Sequence, residues 1–559
     1  MKATMPKIKY IPCALLALSQ GVYAQQPPTA GSQMLNMPAT QMPQPSAPPI
    51  EVMQDRPAPV QDADSARVLV RTLRVTGAQA YSEDMLLGIT GFRPGSELTL
   101  TELRTMAARI TDFYRQNGYF VAQAYLPAQD ITNGELTIAV LEGHYGQVVL
   151  RNQTNLSEGL AGSLLGGVQS GDVVTTEPLE SSLLLLSDLP GVHVKSTLVP
   201  GAAPGTSDLI VDVTPGQRVT GSIDADNAGN RYTGAYRLGA TVHLNNPMGH
   251  GDVATLRAVT SGSGLHYLRG SYQMQFGKAR VGVAYSHLGY ELGKEFSSLD
   301  AHGTAKVASL YGSYPLIRSR NSNLYAGLGL DAKSFEDRVD STASATDKRS
   351  QVLTASLYGN HSDSVGRGGL SVVSIAWSAG NLDIQTPDVR AFDAVTAQTH
   401  GHFSKLAIHA ARLQNLSESF SIYASIHGQV ASRNLDVSEK MELGGMYAVR
   451  AYPEGEAYAD QGYVLTLEGR MLLPKFHERQ AGQMHFIVFA DTGTVTANKS
   501  PWNAGPNRRT LSGAGVGLNW TVANELEVKA YYAHKLGNSA ATSAPDRSGR
   551  FWIQAVKYF

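Results

Sequence analysis

From residue 217 to the carboxy terminus, apolar and polar positions alternate one for one. Val219, Gly221, Ile223 and Ala225 interleave with Arg218, Thr220, Ser222, Asp224 and Asp226. Tyr236, Leu238, Ala240, Val242 and Leu244 interleave with Arg237, Gly239, Thr241, His243 and Asn245. Near the end, Leu526, Val528, Ala530 and Tyr532 interleave with Glu527, Lys529, Tyr531 and Ala533. Successive side chains of a strand point to opposite faces, so this period predicts strands with one apolar and one wet face. Sixteen such segments start near residues 217, 233, 252, 265, 279, 303, 322, 349, 368, 402, 420, 462, 482, 510, 526 and 549. One set of connections is long: 293–303, 336–350, 383–401, 431–461, 496–509 and 537–549. The other, such as 276–280, 362–369 and 522–525, is shorter. An even strand number with loops long at one end predicts an antiparallel barrel of the outer-membrane type. A soluble sandwich or propeller needs no apolar outer band. The terminal FWIQAVKYF places Phe551, Ile553, Ala555 and Phe559 on one face, and Lys557 where its head can reach water at a membrane edge.

Upstream the period changes. Residues 68–75 have strand character, and Thr99-Leu100-Thr101-Glu102 has the spacing of a capping box. Leu103, Met106, Ala107, Ile110 and Tyr114 then recur at helical spacing, and Asn117-Gly118 ends the helix. Strands are expected at 121–126 and 136–141. A shift of 73 residues, without gaps, lays Gly118 on Gly191, Val121 on Val194, Pro127 on Pro200, Leu136 on Leu209, Ile138 on Val211, Val140 on Val213 and Gly143 on Gly216. A second helix, 179–186 with Pro178 early, precedes the repeated glycine. Residues 67–143 and 144–216 are therefore expected to be two copies of one small α/β module.

The amino terminus has the pattern of a secretory signal over residues 1–24. Lys2, Lys7 and Lys9 precede a short apolar run, and Val22-Tyr23-Ala24 offers small residues for cleavage. Residues 25–66, with prolines at 27, 28, 38, 43, 45, 48 and 49, have the composition of an extended linker. Cleavage would remove three lysines and no acid, moving the net charge from -1 to -4. That balance argues against a nucleic-acid partner, for which a strongly basic domain is expected. Cleavage would also remove Cys13, the single cysteine, and with it any disulfide or cysteine-based metal site. No run of 18 apolar residues predicts a membrane helix, a test to which barrel strands are blind.

The stretch AVRAYPEGEAYADQGY, 448–463, concentrates one arginine with Glu454, Glu456 and Asp460 on a segment too broken for a helix. Glu454 and Glu456 lie two apart on a glycine-containing loop, which sets no separation of the kind acid–base catalysis needs. The chain has no Gly-x-Ser-x-Gly elbow and no phosphate-binding Gly-x-x-x-x-Gly-Lys loop. Its fifteen histidines are scattered. No catalytic residue, metal ligand or cofactor site is assigned. A barrel-embedded lipase or protease is the distant alternative.

Four strings carry a family resemblance. They are DNAGNRYTG at 226–234, LNNPMGHGD at 244–252, VRAY at 449–452 and FADTG at 489–493. In this order, with the last two at the sixth outward-facing loop and the thirteenth strand, they resemble the TpsB transporters of two-partner secretion. That is the ShlB/FhaC/HecB family within the BamA-type superfamily. The resemblance implies α+β periplasmic POTRA domains at 67–143 and 144–216, followed by an all-β transmembrane barrel of 16 antiparallel strands at 217–559, with loop 6 (431–461) folded inward. It implies that Arg450, flanked by Val449, Ala451 and Tyr452, pairs with Asp491, with Phe489 beside it and Gly493 leaving room. Strand parity agrees, because His485, Ile487, Phe489, Asp491 and Gly493 share the less apolar face of their strand. Ala451 stands where the family motif has glycine, so strain is expected there if the loop needs positive φ. Some members carry an amino-terminal plug helix. Here only QMLNM at 33–37 hints at one, so a plug is expected to be absent or built differently.

The implied function is export of an unfolded TpsA-type exoprotein, such as an adhesin, haemolysin or contact-dependent toxin. Capture would use strand addition at a POTRA edge, with 121–126 (Val121, Tyr125) and 192–199 (Val194, Leu198) as candidates. The implied surroundings are outer-membrane lipid and lipopolysaccharide, with the barrel-assembly machinery during biogenesis. A monomer, no nucleic acid and no cofactor are expected. An assembly insertase of the same superfamily would usually carry more POTRA copies, and a passive porin none.

Overall fold

The computed structural model describes residues 27–37, the backbone of 50–52, 67–477 and 480–559. The expected leader at 1–24 and most of 25–66 lie outside the described residues. The carboxy-terminal part is a closed antiparallel barrel of sixteen strands. They begin at residues 219, 237, 253, 265, 279, 301, 322, 344, 369, 401, 420, 461, 483, 508, 526 and 549. Closure joins the first strand, Val219–Asp226, to the last, Gly549–Tyr558, with Ser222 opposite Tyr558 and Asp226 opposite Gln554. Beyond that ladder Gly221 and Phe559 exchange backbone hydrogen bonds of 2.9 and 3.0 Å. The terminal phenylalanine thus helps fasten the seam.

Alternation sets the two faces of the wall. Along Arg237–Asn245, residues Arg237, Thr241, His243 and Asn245 are buried in the lumen while Leu238, Val242 and Leu244 are exposed. The same inversion places Leu310, Leu330, Trp377, Ile408, Leu467 and Val488 on the outside. A contiguous apolar exterior around a polar interior suits a lipid solvent, where the closed ladder satisfies every strand. Inside, Arg237 pairs with Asp226 and Arg257 with Asp224, each at 2.9 Å.

One expected loop is a hairpin. The seventh strand, Ser322–Val339, and the eighth, Ser344–Asp363, run through most of 336–350 and leave only a turn at 340–343. At 18 and 20 residues they far exceed the ~9–11 needed to cross a bilayer. The hairpin therefore projects past it. Outside lipid neither face needs to be apolar, and FEDRVDSTASATDKRS carries no period-two signal.

Ahead of the barrel stand two α/β units. In the first, Thr72–Thr76 pairs parallel with Glu135–Leu141, which pairs antiparallel with Gln123–Tyr125. Arg67–Val70 pairs with Ser96–Thr99. The strand expected at 68–75 is broken at Arg71, whose N–H donates to the Gly134 carbonyl at 2.8 Å. Helix Leu100–Gln116 starts with the expected capping box. The Glu102 carboxylate accepts from Thr99 N at 2.7 Å and the Thr99 hydroxyl from Glu102 N at 3.2 Å. Leu103, Ala107, Ile110 and Tyr114 form its buried face. The Tyr114 hydroxyl donates to the buried Glu142 carboxylate at 2.7 Å, which also accepts from Gln79 N and Ala80 N. Tyr114→Phe removes one donor from a buried charge. It is expected to cost about 1–3 kcal/mol, measured as faster backbone hydrogen exchange across 67–143 in the full chain.

The second unit has helices Glu158–Leu164 and Thr176–Ser187 against a sheet ordered Ile50–Val52, Val192–Pro200, Thr206–Pro215 and His144–Asn152. It docks on the barrel rim that carries the short turns. Asp188 forms two 2.7 Å bonds with the Arg318 guanidinium, and Glu180 lies 2.8 Å from Arg320.

Two features depart from an extended linker over 25–66. Ala30–Leu35 is a short helix lodged inside the barrel, capped by Thr29 and Ser32. Ile50–Val52 is a strand paired parallel to residues 196–198. The helix holds where composition argued against one because its partners lie far along the chain: polar groups of the lumen, and an apolar cluster around Tyr232, Tyr290 and Phe335 that takes in Ala30 and Met34.

Candidate functional site

The chain between the eleventh strand, Phe420–Ala431, and the twelfth, Gln461–Leu472, folds into the barrel. Leu443, Val449, Ala451 and Tyr452 are almost completely buried, in a cluster with Ile487 and Phe489 of the wall. Asp491 lies on the inner face of the thirteenth strand, Gln483–Thr496. Its cross-strand neighbours are Thr466 and Gly513. The Thr466 hydroxyl donates to it at 3.0 Å. Gly513 leaves the wall bare beside it.

Arg450 enters this pocket. Its Nε and one terminal nitrogen each donate to the Asp491 carboxylate at 2.8 Å, and its backbone N–H adds a third bond at 3.1 Å. The other terminal nitrogen donates to Glu468 Oε1 at 2.8 Å. Glu468 is steadied by Arg470 at 2.7 Å. The guanidinium lies 3.4 Å from the centre of the Phe489 ring and 5.0 Å from that of Tyr531. The Trp552 indole N–H donates to the Arg450 carbonyl at 2.7 Å. The side chains of Arg450, Asp491 and Glu468 are at most 5% exposed. Planar bidentate geometry and ring stacking together demand arginine, since a lysine supplies neither.

The other residues singled out in the sequence have plain locations. Gly493 leaves room for the inward loop at Leu443, whose Cδ1 would lie 2.5 Å from an added Cβ. Ala451 is not among the positive-φ residues, so the expected strain is absent. Its methyl instead occupies the space left by Gly513, where an added Cβ would lie 2.4 Å away. Tyr452 donates its hydroxyl to the Ser539 carbonyl at 3.0 Å. Glu454 accepts from Met446 N at 2.9 Å. Glu456 accepts from Thr542 N at 2.8 Å and Ser543 N at 3.0 Å and pairs with Arg509, fastening the loop to the 537–549 connection. These carboxylates are engaged as structural acceptors.

The two candidate capture edges differ. Gln123–Tyr125 ends its sheet, with Tyr125 exposed, while Val121 is half-buried ahead of the strand. Val194 and Leu198 are buried, because the period of Val192–Pro200 turns them into the module core. The backbone edge at 196–198 is already filled by Ile50–Val52. Side-chain contact through Val194 and Leu198, and a free edge at 196–198, are therefore corrected.

Three parts of the site escaped the sequence reading: Glu468, the lumenal helix and a set of wall lysines. Glu468 had a signal. Thr466, Glu468 and Arg470 are every second residue of one strand, and charge at inward positions of a barrel strand marks the lumen.

The haemolysin secretion/activation protein model ShlB/FhaC/HecB matches residues 205–520, and a ShlB-type POTRA domain model matches 68–143. The heme/hemopexin transporter protein HuxB of Haemophilus influenzae is 29% identical over 470 residues, covering 83% of this chain and 82% of HuxB. The outer membrane transporter CdiB of Dickeya dadantii is 25% identical over 376 residues, 65% of each chain. Among solved structures, CdiB from Escherichia coli superposes with a TM-score of 0.68 at 19% identity, covering 91% of this chain and 93% of that one. BamA from Haemophilus ducreyi lacking POTRA domains 1–3 gives 0.55 at 14% identity, covering 88% and 100%. At these identities the two structures speak for the fold alone.

Proposed function

This chain belongs to the haemolysin secretion/activation family ShlB/FhaC/HecB, and from that premise we propose how it exports its cargo. It is an outer-membrane transporter with its POTRA part in the periplasm. The cargo is an unfolded TpsA-type exoprotein. Its class is open between the kinds of partner that HuxB-like and CdiB-like transporters serve.

Residues 67–143 and 144–216 act as the POTRA pair. A cargo segment adds as a strand beside Gln123–Tyr125, whose outer edge has no ladder partner among the described residues. Main-chain hydrogen bonds at such an edge bind with little regard to side chains. Use of the edge at 196–198 requires displacement of Ile50–Val52. The cargo then threads a polar lumen past loop 6. Folding of the emerged chain outside supplies the direction. The observation that carries this reading is the loop spanning the lumen on the Arg450–Asp491–Glu468 contact. A floppy loop would obstruct the path at random, whereas a docked one leaves a defined passage.

In a strain lacking this chain, the exoprotein encoded beside it is expected to remain inside the cell. Complementation returns it to the surface. Total outer-membrane protein stays level in both strains. A general fall in barrel proteins would favour an insertase instead, and surface exoprotein in the deletion strain would refute export by this chain.

A further inference from the structure

Loop 6 has a further anchorage, away from the VRAY and FADTG strings and from the Glu456–Arg509 pair. Its short 3-10 turn, Val437–Glu439, meets three lysines projecting inward from the seventh strand, the eighth and the tenth, Gly401–Asn415. Glu439 lies 2.6 Å from Lys333 and 2.9 Å from Lys405. Asp436 lies 2.7 Å from Lys348. Lys405 also donates to the Glu439 carbonyl at 2.8 Å, and Gln429 adds a bond to it at 3.1 Å. These five charged side chains are at most 18% exposed.

The lumenal helix sits on this turn. A Cβ at Gly31 would lie 3.0 Å from Ser438 Cβ and 3.3 Å from Val437 Cγ1, so glycine allows contact at the closest approach. Ser438 is itself fixed by Asp436, which accepts from its N–H at 3.1 Å and its hydroxyl at 2.8 Å. The carboxylate that binds Lys348 thus also shapes the surface under the helix. On its other side the helix is held by the wall. Ala30 N donates to Asp337 at 2.8 Å, Thr233 to Gln33 at 2.7 Å and Arg237 to the Asn36 carbonyl at 2.9 Å.

We propose that Lys333, Lys348 and Lys405 are positioning residues that hold the Val437–Glu439 turn as the seat of a plug formed by Ala30–Leu35. The Arg450 clamp and the lysine clamp then do different jobs. The first keeps loop 6 across the lumen. The second keeps the plug closed, and its loss frees the helix while the first persists. An inward carboxylate left without its lysine cannot stay buried at no cost, so the turn shifts and the helix loses its contact.

The test uses full-length protein with cysteines replacing Gln33 and Thr233, whose side chains meet at 2.7 Å on the wall side of the helix, joined by a short bifunctional thiol reagent; Gly31 and the turn stay intact, and Cys13, the only native cysteine, lies in the expected leader. Cross-link yield reports seating, and the open fraction of single channels in planar bilayers reports closure. Lys348→Asp and Asp436→Lys are each expected to lower cross-linking several-fold and raise the open fraction. The swap carrying both restores seating and closure, which a merely structural loss would not do. Should either reversal fail to insert, Lys348→Gln and its combination with Asp436→Asn replace them, with the same loss and recovery expected. Unchanged cross-linking in the single variants, or no recovery in the combined one, would overturn the proposal.

Discussion

Arg450→Ala is expected to abolish surface delivery of the exoprotein while the barrel still inserts and keeps its heat-modifiable mobility. The substitution strands Asp491 and Glu468, both buried, with only Thr466, Arg470 and the backbone N–H of position 450 to answer them. Breaking a buried pair from one side costs about 3–5 kcal/mol. At 1.4 kcal/mol per tenfold, that is a loss of about 10²- to 4 × 10³-fold in the docked population of loop 6. The wall is unaffected, because its ladder does not involve Arg450. Arg450→Lys is expected to fall close to the alanine variant, since an ammonium cannot make the two-pronged contact with Asp491 or stack on Phe489. Asp491→Asn is expected to be milder, because the guanidinium keeps Glu468 and the ring. Secretion assays alongside heat-modifiability separate these outcomes. Normal delivery by Arg450→Ala would refute the anchoring role.

The barrel was legible because two constraints coincide. A closed wall in lipid forces the alternation, and the strand register repeats it sixteen times. Where lipid ends the constraint ends, which is why the 340–343 turn was hidden inside an expected loop. Asp491 was legible from the same parity, sitting inward with Ile487 and Phe489. Its pairing with Arg450 was reached through the family resemblance, since no local pattern ties residues 41 positions apart.

What stayed hidden is held by partners distant in sequence. Ala30–Leu35 has weak intrinsic reason to be helical, with Gly31 and Ser32 in its six residues. It is ordered by Thr233, Arg237 and Asp337, some 200 to 307 positions away. The lysines follow the same rule. Lys333, Lys348 and Lys405 sit on three separate strands and become a cluster only when the ring closes and loop 6 turns inward. Strand addition at 196–198 was hidden differently, because three residues in a proline-rich segment give no periodicity to detect.

Gly513→Ala is expected to reduce export by about one to two orders of magnitude, and Ala451→Gly is expected to restore it in the same chain. The added methyl would lie 2.4 Å from the Ala451 Cβ, far inside contact distance. Neither side can yield by rotation. Ala451 has no side-chain torsion to turn, and Gly513 is fixed opposite Asp491 in the ladder. The loop itself must lift, and it lifts where Arg450 binds. Overpacking of this kind costs about 1–3 kcal/mol, or about 5- to 150-fold by the same conversion. With glycine at 451 the nearest remaining loop atom is its Cα, 3.5 Å from the new Cβ, an ordinary contact. The double variant moves one methyl from loop to wall and conserves the packed volume. Ala451→Gly alone removes a buried methyl, worth about 0.8 kcal/mol, and should lower export only slightly. Steric exchange predicts this recovery, whereas a general weakening of the barrel would make the two losses add. Equal export by wild type and Gly513→Ala, or a double variant worse than either single one, would show that the loop does not meet the wall here.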